Sequence, residues 1–330
     1  MKKSTEHVIG INIGGTNCSV SLADIDASII DREAFATKKF TGPIETIEAV
    51  SRIACRLIAR SRKESGRIPK AIGISCGGPL DSRSGRVLSP PNLPGWDDVP
   101  IVDLVQKATQ LPTFLENDAN AGVLAEMRFG AGRGFSNVIF LTFGTGMGAG
   151  IVLNGVLYRG TKDLAGEVGH IRMTEDGPIG YGKPGSFEGY CSGSGIAYIA
   201  REKARATFAA GERCSYCPNP NRIEEIEARD VAAAAVAGNR DAIGVLKVSA
   251  TYLGRGLAIL VDLLNPECIV IGSIYARNEQ LFKPIVEGVL AEECIPISLG
   301  VCSIVPAALG EQIGDYGAIS VALYGLGVFE

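Results

Sequence analysis

The chain has 330 residues, enough for two ordinary domains or one large one, and its 46% hydrophobic and 21% charged residues supply ample apolar core. That balance excludes a disordered or fibrous protein. Lys+Arg 32 against Asp+Glu 36 leaves a net charge of -4, with no basic excess to hold a phosphate backbone, so no nucleic-acid partner is expected. The outlying number is 42 glycines, about 13% of the chain where about 7% is ordinary. Such glycine serves tight turns and places where backbone approaches a ligand. The 9 cysteines, scattered singly except for Cys214 and Cys217, predict reduced thiols and a cytoplasmic protein. Met-Lys-Lys-Ser-Thr-Glu-His runs straight into a strand pattern and does not read as a signal peptide. The uncharged apolar stretches near 231–237 and 257–261 are shorter than the roughly 20 residues a membrane span needs, so no membrane partner is expected either.

In chain order, 8–13 is a β-branched run broken by Gly14-Gly15-Thr16-Asn17 and resumed through 18–22, which predicts a hairpin. Residues 43–65 place Ile44, Ile47, Val50, Ile53, Ala54, Leu57 and Ile58 at helical spacing. A buried strand over 71–75 runs into Cys76-Gly77-Gly78-Pro79, and 85–100, with the sole Trp96, reads as loop. A strand over 112–115 ends in Glu116-Asn117-Asp118, with a helix predicted over 119–129. The strand Val138-Ile139-Phe140-Leu141-Thr142-Phe143 enters Gly144-Thr145-Gly146-Met147-Gly148-Ala149-Gly150 and leaves through another strand. Strand, glycine-threonine turn, strand thus occurs twice, an internal duplication at long period. Residues 223–264 are predicted largely helical, 268–271 a buried strand, and 310–326 a glycine-led helix. The fold class is therefore α/β.

Backbone N–H groups of such glycine turns converge on one concavity that favours phosphate oxygens, and Thr16 and Thr145 add hydroxyls. Gly144-x-Gly146-x-x-Ala149 also fits a dinucleotide fingerprint, but that motif requires a helix where a strand is predicted here. No Gly-x-x-x-x-Gly-Lys-Ser/Thr occurs, which excludes a P-loop. Glycines that merely shape turns are the plain alternative. Two turns in matching contexts favour a nucleotide clamp.

Taken together, several segments resemble the ROK family (repressors, open reading frames and sugar kinases) of actin-like ATPases. Ile13-Gly14-Gly15-Thr16 and Phe143-Gly144-Thr145-Gly146-Met147-Gly148 are similar to its two phosphate turns. Gly77-Gly78-Pro79, Pro91-Asn92-Leu93-Pro94-Gly95-Trp96 and Glu116-Asn117-Asp118-Ala119-Asn120 resemble its sugar-site loops. Ala165-Gly166-Glu167-Val168-Gly169-His170, Ser192-Gly193 and Gly310 to Gly317 follow in the family's order. The resemblance implies two actin-like (ribonuclease H-like) α/β domains with mixed sheets flanked by helices and a cleft between them. Residues 1–117 plus 310–330 would form one, and 118–309 the other. It implies an ATP- and Mg²⁺-dependent transfer to the 6-hydroxyl of a hexose or N-acetylhexosamine, glucose being the default. Asp118, otherwise readable as a plain helix N-cap, would be the general base. Gly78, Asn92, Asn117, Glu167, His170 and Glu188 would line the sugar, against the bland readings of solvated glutamates and a structural histidine. Asn12, Gly14, Gly15, Thr16, Gly144, Thr145, Gly146, Gly272 and Gly314 would hold the nucleotide. A homodimer is expected, with the alanine-rich 231–264 region as a candidate interface.

Two departures stand out. Where the family carries Cys-x-Cys-Gly-x-x-Gly-Cys-x-Glu, this chain reads Ile179 to Glu188, with Ile179, Tyr181 and Ser186 in place of the thiolates. A tetrahedral zinc cannot survive that loss, so no metal is expected there, and Ile179, Tyr181 and Phe187 are expected to hold the loop by packing. Cys214 and Cys217 have metal-type spacing and with Cys191 and His170 would offer the ligands of a rebuilt site, but read by default as surface thiols or a disulfide. The second departure is Asn12, where the family has an aspartate near metal and phosphates, which leaves open a weak or inactive sugar- and nucleotide-binding protein. A sugar-responsive regulator is the remaining class. It would need a DNA-binding unit ahead of the first turn, and about seven residues before the first strand are too few.

Overall fold

The computed structural model describes residues 6–328. What was read from the first five residues lies outside the described residues. β1 (His7–Ile13) and β2 (Asn17–Asp24) form the first hairpin, with Ile13 opposite Cys18. β3 (Ile29–Ala36) extends it antiparallel, its residues alternating half-buried and exposed. Half-polar alternation in Ile-Ile-Asp-Arg-Glu-Ala-Phe-Ala hides this strand from a search for apolar runs. Helix α1 (Gly42–Ser65) buries Ile47, Val50, Ile53, Ala54 and Leu57, and is followed by β4 (Ile72–Cys76), parallel to β1. A small ribbon, β5 (Leu80–Asp81) and β6 (Arg86–Val87), precedes α2 (Ile101–Thr109). Trp96 is buried in the core beneath that loop. β7 (Thr113–Asn117) pairs parallel with β4 and leads without a break into α3 (Asp118–Phe129).

The second half repeats the plan. β8 (Val138–Leu141), β9 (Ala149–Leu153) and β10 (Val156–Leu157) are antiparallel neighbours. Because a strand and not a helix follows the second turn, the dinucleotide fingerprint does not apply. A ribbon, β11 (Ile179–Gly180) and β12 (Lys183–Pro184), leads through α4 (Phe187–Tyr190), α5 (Gly193–Ala209), α6 (Ala228–Val236) and α7 (Arg240–Leu264) to β13 (Cys268–Ile271). Then come α8 (Ser273–Arg277), α9 (Glu279–Glu293), α10 (Pro296–Leu299), β14 (Ser303–Pro306) and α11 (Ile313–Gly325). The two sheets run β3-β2-β1-β4-β7 and β10-β9-β8-β13-β14, each with three antiparallel strands followed by two parallel ones. The duplication read from the two hairpins therefore extends to whole sheets.

The last helix, α11, returns to the first sheet, packing on β1, β4 and α3. Asp315 in its first turn is buried and accepts from Ser19 Oγ at 2.6 Å, Ser21 Oγ at 3.2 Å and Arg32 Nε at 2.6 Å. These bonds tie α11 to β2 and β3. Helix α7 is long and apolar enough to cross a membrane by length and composition, against the sequence expectation that no segment is. Its apolar face, including Val245, Leu253, Leu257 and Val261, forms the centre of the second core.

The segment from Ile171 to Tyr190 departs from expectation. Phe187 is fully buried, but Ile179 is 58% and Tyr181 67% exposed, so those two side chains do not hold the loop. Hydrogen bonds hold it instead. Arg172 Nη1 donates to the carbonyls of Thr174, Glu175 and Pro184, Gly185 N–H to Pro178 O, and Ser186 Oγ caps α4 by accepting from Gly189 N–H. Cys214 and Cys217 are likewise neither surface thiols nor a disulfide. Both are free and buried in the second core, 2% and 5% exposed. Cys191 spends its thiol on Ser249 O. Among the described residues no group of three or more His, Cys, Asp or Glu is arranged to hold a metal. Arg172→Ala is expected to release this loop alone: its amides should exchange with solvent about tenfold faster while those of β13 stay protected, as mass-spectrometric hydrogen exchange would show.

Candidate functional site

Asn117 ends β7 extended, and its Oδ1 accepts the Asn120 N–H at 2.7 Å, so Asn117 is the N-cap of α3. The plain capping role open to Asp118 is thereby taken by its neighbour, and Asp118 occupies the first helical position with its carboxylate exposed to the cleft. The protein surrounding its other sides crowds the group, and this desolvation pushes the Asp118 carboxyl above the usual carboxylate range against two opposing backbone hydrogen bonds. Beneath it the Cys76 thiol is fully buried at the end of β4, and that burial pushes its pKa far up and keeps it neutral.

Asp118 lines a cavity of about 290 Å³ together with Asn12, Gly144, Gly272 and Gly314. A wider cavity of about 660 Å³ adjoins it through Gly144, Ser273 and Arg277, and includes Thr145, Gly193 and Arg201. Asn12 stands at the end of β1, and Gly314 at the start of α11 presses on it: a Cβ there would lie 2.7 Å from Asn12 Nδ2. The structure thus brings five of the residues expected around the nucleotide and base into one space.

The first turn, Gly14-Gly15-Thr16, closes through Gly14 N–H to Asn17 O at 3.0 Å and is braced by Thr37, whose Oγ1 donates to Gly14 O at 2.6 Å. Asn92 reaches this turn: its carbonyl oxygen lies 3.0 Å from where a Cβ on Gly15 would stand. The second turn spans β8 to β9, with Gly148 N–H donating to Thr142 Oγ1 at 2.9 Å and Thr145 exposed at its tip. Glu188, expected against sugar hydroxyls, gives one oxygen to this turn by accepting Met147 N–H at 3.0 Å near Gly146.

Glu167 lies within electrostatic reach of Asp118, Glu188 and His170. Burial, then the two carboxylates, raise its pKa, and His170 opposes them. His170 is exposed and meets Tyr181 edge-on at 6.2 Å. Gly78 stands beside Asn117, 3.9 Å between the Asn117 Cβ and an imagined Cβ at Gly78. The acidic set and the first turn do not line the 290 Å³ cavity. The arrangement is a carboxylate, Asp118, sharing one cavity with Asn12 before the first glycine turn and Gly144 of the second.

Ser273, read from the sequence with Gly272 as a nucleotide contact, lines both cavities, and Arg277, Arg201 and Glu311 line them without having been read from the sequence. Arg277 follows Gly272-Ser273 by one helical turn and pairs with Glu311 at 2.9 Å. That i, i+4 spacing from Ser273 was the available signal. A separate cavity of about 300 Å³ lies against Glu116, Arg159 and Tyr324 and contains none of the expected site residues.

The chain has known relatives. A glucokinase of Thermotoga maritima is 33% identical over 316 residues, spanning 95% of this chain and 96% of the relative. The solved ROK family glucokinase from Streptomyces griseus, in complex with glucose and AMPPNP, superposes with TM-score 0.75 at 31% identity over 97% of this chain and 100% of that one. A solved ROK family transcriptional regulator, a homologue of the Escherichia coli MLC protein, superposes with TM-score 0.84 at 25% identity, covering 100% of this chain and 81% of its own. The ROK family model matches residues 8–324, and the chain, with its two actin-like sheets, is a member of the ROK family.

Proposed function

We propose that the chain is an ATP-dependent sugar kinase that phosphorylates the 6-hydroxyl of a hexose or N-acetylhexosamine, with glucose as the first candidate. The observation that carries this is Asp118, which starts α3 with the capping role taken by Asn117 and faces the same cavity as Gly144, Gly272 and Gly314. Kinship with glucokinases, one solved with glucose and AMPPNP, supports it. In this reading the jaws are 1–117 with 310–330 and 118–309, and the protein works in the cytoplasm. Exposed Val248, Ile259 and Leu263 on α7, with Ile297, support a homodimer.

Asp118 takes the proton of the sugar hydroxyl as that oxygen attacks the γ-phosphorus. The bond from phosphorus to the β–γ bridging oxygen breaks, and ADP leaves carrying that electron pair. The sugar is held by Gly78, Asn92, Asn117, Glu167, His170 and Glu188, and the phosphates by the turns at Gly14, Gly15, Thr16, Gly144, Thr145 and Gly146. Mg²⁺ accompanies the nucleotide as part of the substrate and screens phosphate charge. Asn12 offers it a neutral amide oxygen where a carboxylate would bind more strongly. Positioning and charge screening do most of the work of phosphoryl transfer. Asn12 also favours a second reading, a sugar- and nucleotide-binding protein of low turnover.

ADP release from MgATP across hexoses, N-acetylhexosamines and a sugar-free blank tests the proposal. One sugar well above the blank supports it, and silence with intact sugar binding favours the second reading. Asp118→Asn is expected to fold normally and lose about 10²–10⁴-fold in kcat; near-normal turnover would remove the base. A base acts deprotonated and the Asp118 pKa is raised, so kcat/KM should fall with acid at a pH above the roughly 3.9 of a free aspartate. Asn12→Asp should lower the Mg²⁺ concentration needed for half-maximal rate, and an unchanged requirement would place the metal away from residue 12.

A further inference from the structure

Glu126 is fully buried on α3, eight positions beyond Asp118 or about 12 Å along the helix. A carboxylate in such a place needs its charge answered by donors. Here the donors are backbone amides from two separate segments. Oε2 accepts from Ala131 N–H at 2.8 Å and Ala308 N–H at 3.2 Å, and Oε1 accepts from Leu309 N–H at 3.0 Å. Carboxylate-to-amide bonds of this kind are charge-assisted and roughly twice as strong as neutral ones.

The segment those bonds hold is the connection from β14 to α11. Ala307, Gly310, Glu311, Ile313 and Gly314 form one wall of the cavity that contains Asp118 and Gly144. Among the described residues its other anchors are the Ala307 N–H bond to Ile271 O at 2.9 Å, the packing of Ala307 and Ile313 against the core around Phe140 and Val270, and the solvent-exposed Glu311–Arg277 pair. Solvent-exposed pairs contribute little. Among the described residues no second acceptor is found for the Ala308 or Leu309 amide.

We propose that Glu126 is a positioning residue for the nucleotide: through α3 it sets the 307–314 wall at a fixed distance from Asp118 and from the Gly144 turn. The inference rests on the kinase reading for the identity of the ligand, but not for the clamp itself. Glu126 touches no reacting atom. Its carboxylate acts only through the Ala308 and Leu309 amides. Among the described residues no hydrogen bond or ion pair links it to the sugar-side groups Glu167, His170 and Asn92.

The test is Glu126→Gln, which keeps size and one acceptor oxygen but turns an –NH₂ toward amides that need acceptors. Calorimetry with AMPPNP and separately with sugar should show nucleotide affinity weakened about tenfold and sugar affinity unchanged. KM for ATP should follow, with kcat at saturating ATP within about twofold of the unaltered protein. Hydrogen exchange of 307–312 should rise in the same variant. Unchanged nucleotide affinity, or equal losses for nucleotide and sugar, would overturn the proposal, since the latter is what plain destabilisation produces. If Glu126→Gln does not fold, Glu126→Asp, which retains charge and shortens reach, faces the same comparison. An unaltered protein that binds no AMPPNP defeats the kinase reading, and the exchange of 307–312 then decides the clamp by itself.

Discussion

The close approach of two helices to two sheets is the constraint on which the site depends. A Cβ on Gly73 of β4 would fall 2.1 Å from Ala318 O of α11, and one on Gly150 of β9 would fall 2.1 Å from Ala119 O of α3. Neither is sterically possible, so the strands carry glycine where the helix backbones rest on them. Those helices carry residues of the candidate site. α3 begins with Asp118, and α11 begins beside Gly314 against Asn12. Helix axes seated this low bring both N-termini to the carboxyl ends of β1, β4 and β8, where the turns lie. The cleft is a product of backbone contact more than of side-chain shape.

Buried charge then fixes what packing leaves free. Asp315 joins α11 to β2 and β3 through two serines and Arg32. Glu116, buried at the end of β7, is met by Arg159 and by Asn120 Nδ2 at 3.0 Å, while its own pKa is raised by burial. Asn120 also donates its backbone N–H to the Asn117 cap. The helix turn bearing Asp118 is thus bonded on both sides of that residue, which narrows its geometry, while Asn120 Oδ1 stays buried with no hydrogen-bond partner among the described residues. Among the described residues Asp118 is bonded by the backbone around it and by no other side chain.

The Ile171–Tyr190 segment shows that a loop can keep its course with different chemistry. Its glycines and Glu188 remain where the family pattern has them, but an arginine donating to three carbonyls stands in the region where thiolates would converge. A metal gathers ligands from all sides, whereas a guanidinium gathers carbonyl oxygens, and both draw a chain inward. Glu188 stays against Met147 N–H, so the second glycine turn is supported from this loop.

Much was legible in the sequence because the signal was local. Alternating apolar runs broken by Gly-Gly-Thr and Gly-Thr-Gly marked both hairpins, and helical spacing marked α1 and α3. The residues expected at the site proved to be neighbours wherever one strand end or turn carried them, as Asn12, Asp118 and Gly144 do. Other features had no local signal. β3 is half polar because one face meets water, and the buried places of Cys214 and Cys217 come from packing of distant helices. Whether Asn117 or Asp118 capped α3 depended on where β7 ended, a difference of one residue. The partners of Glu126, some 180 positions onward, are backbone amides that any residue would offer. Side-chain identity and short-range period determined the elements; long-range contact decided which polar atoms would face the cleft and which would be consumed in holding it open.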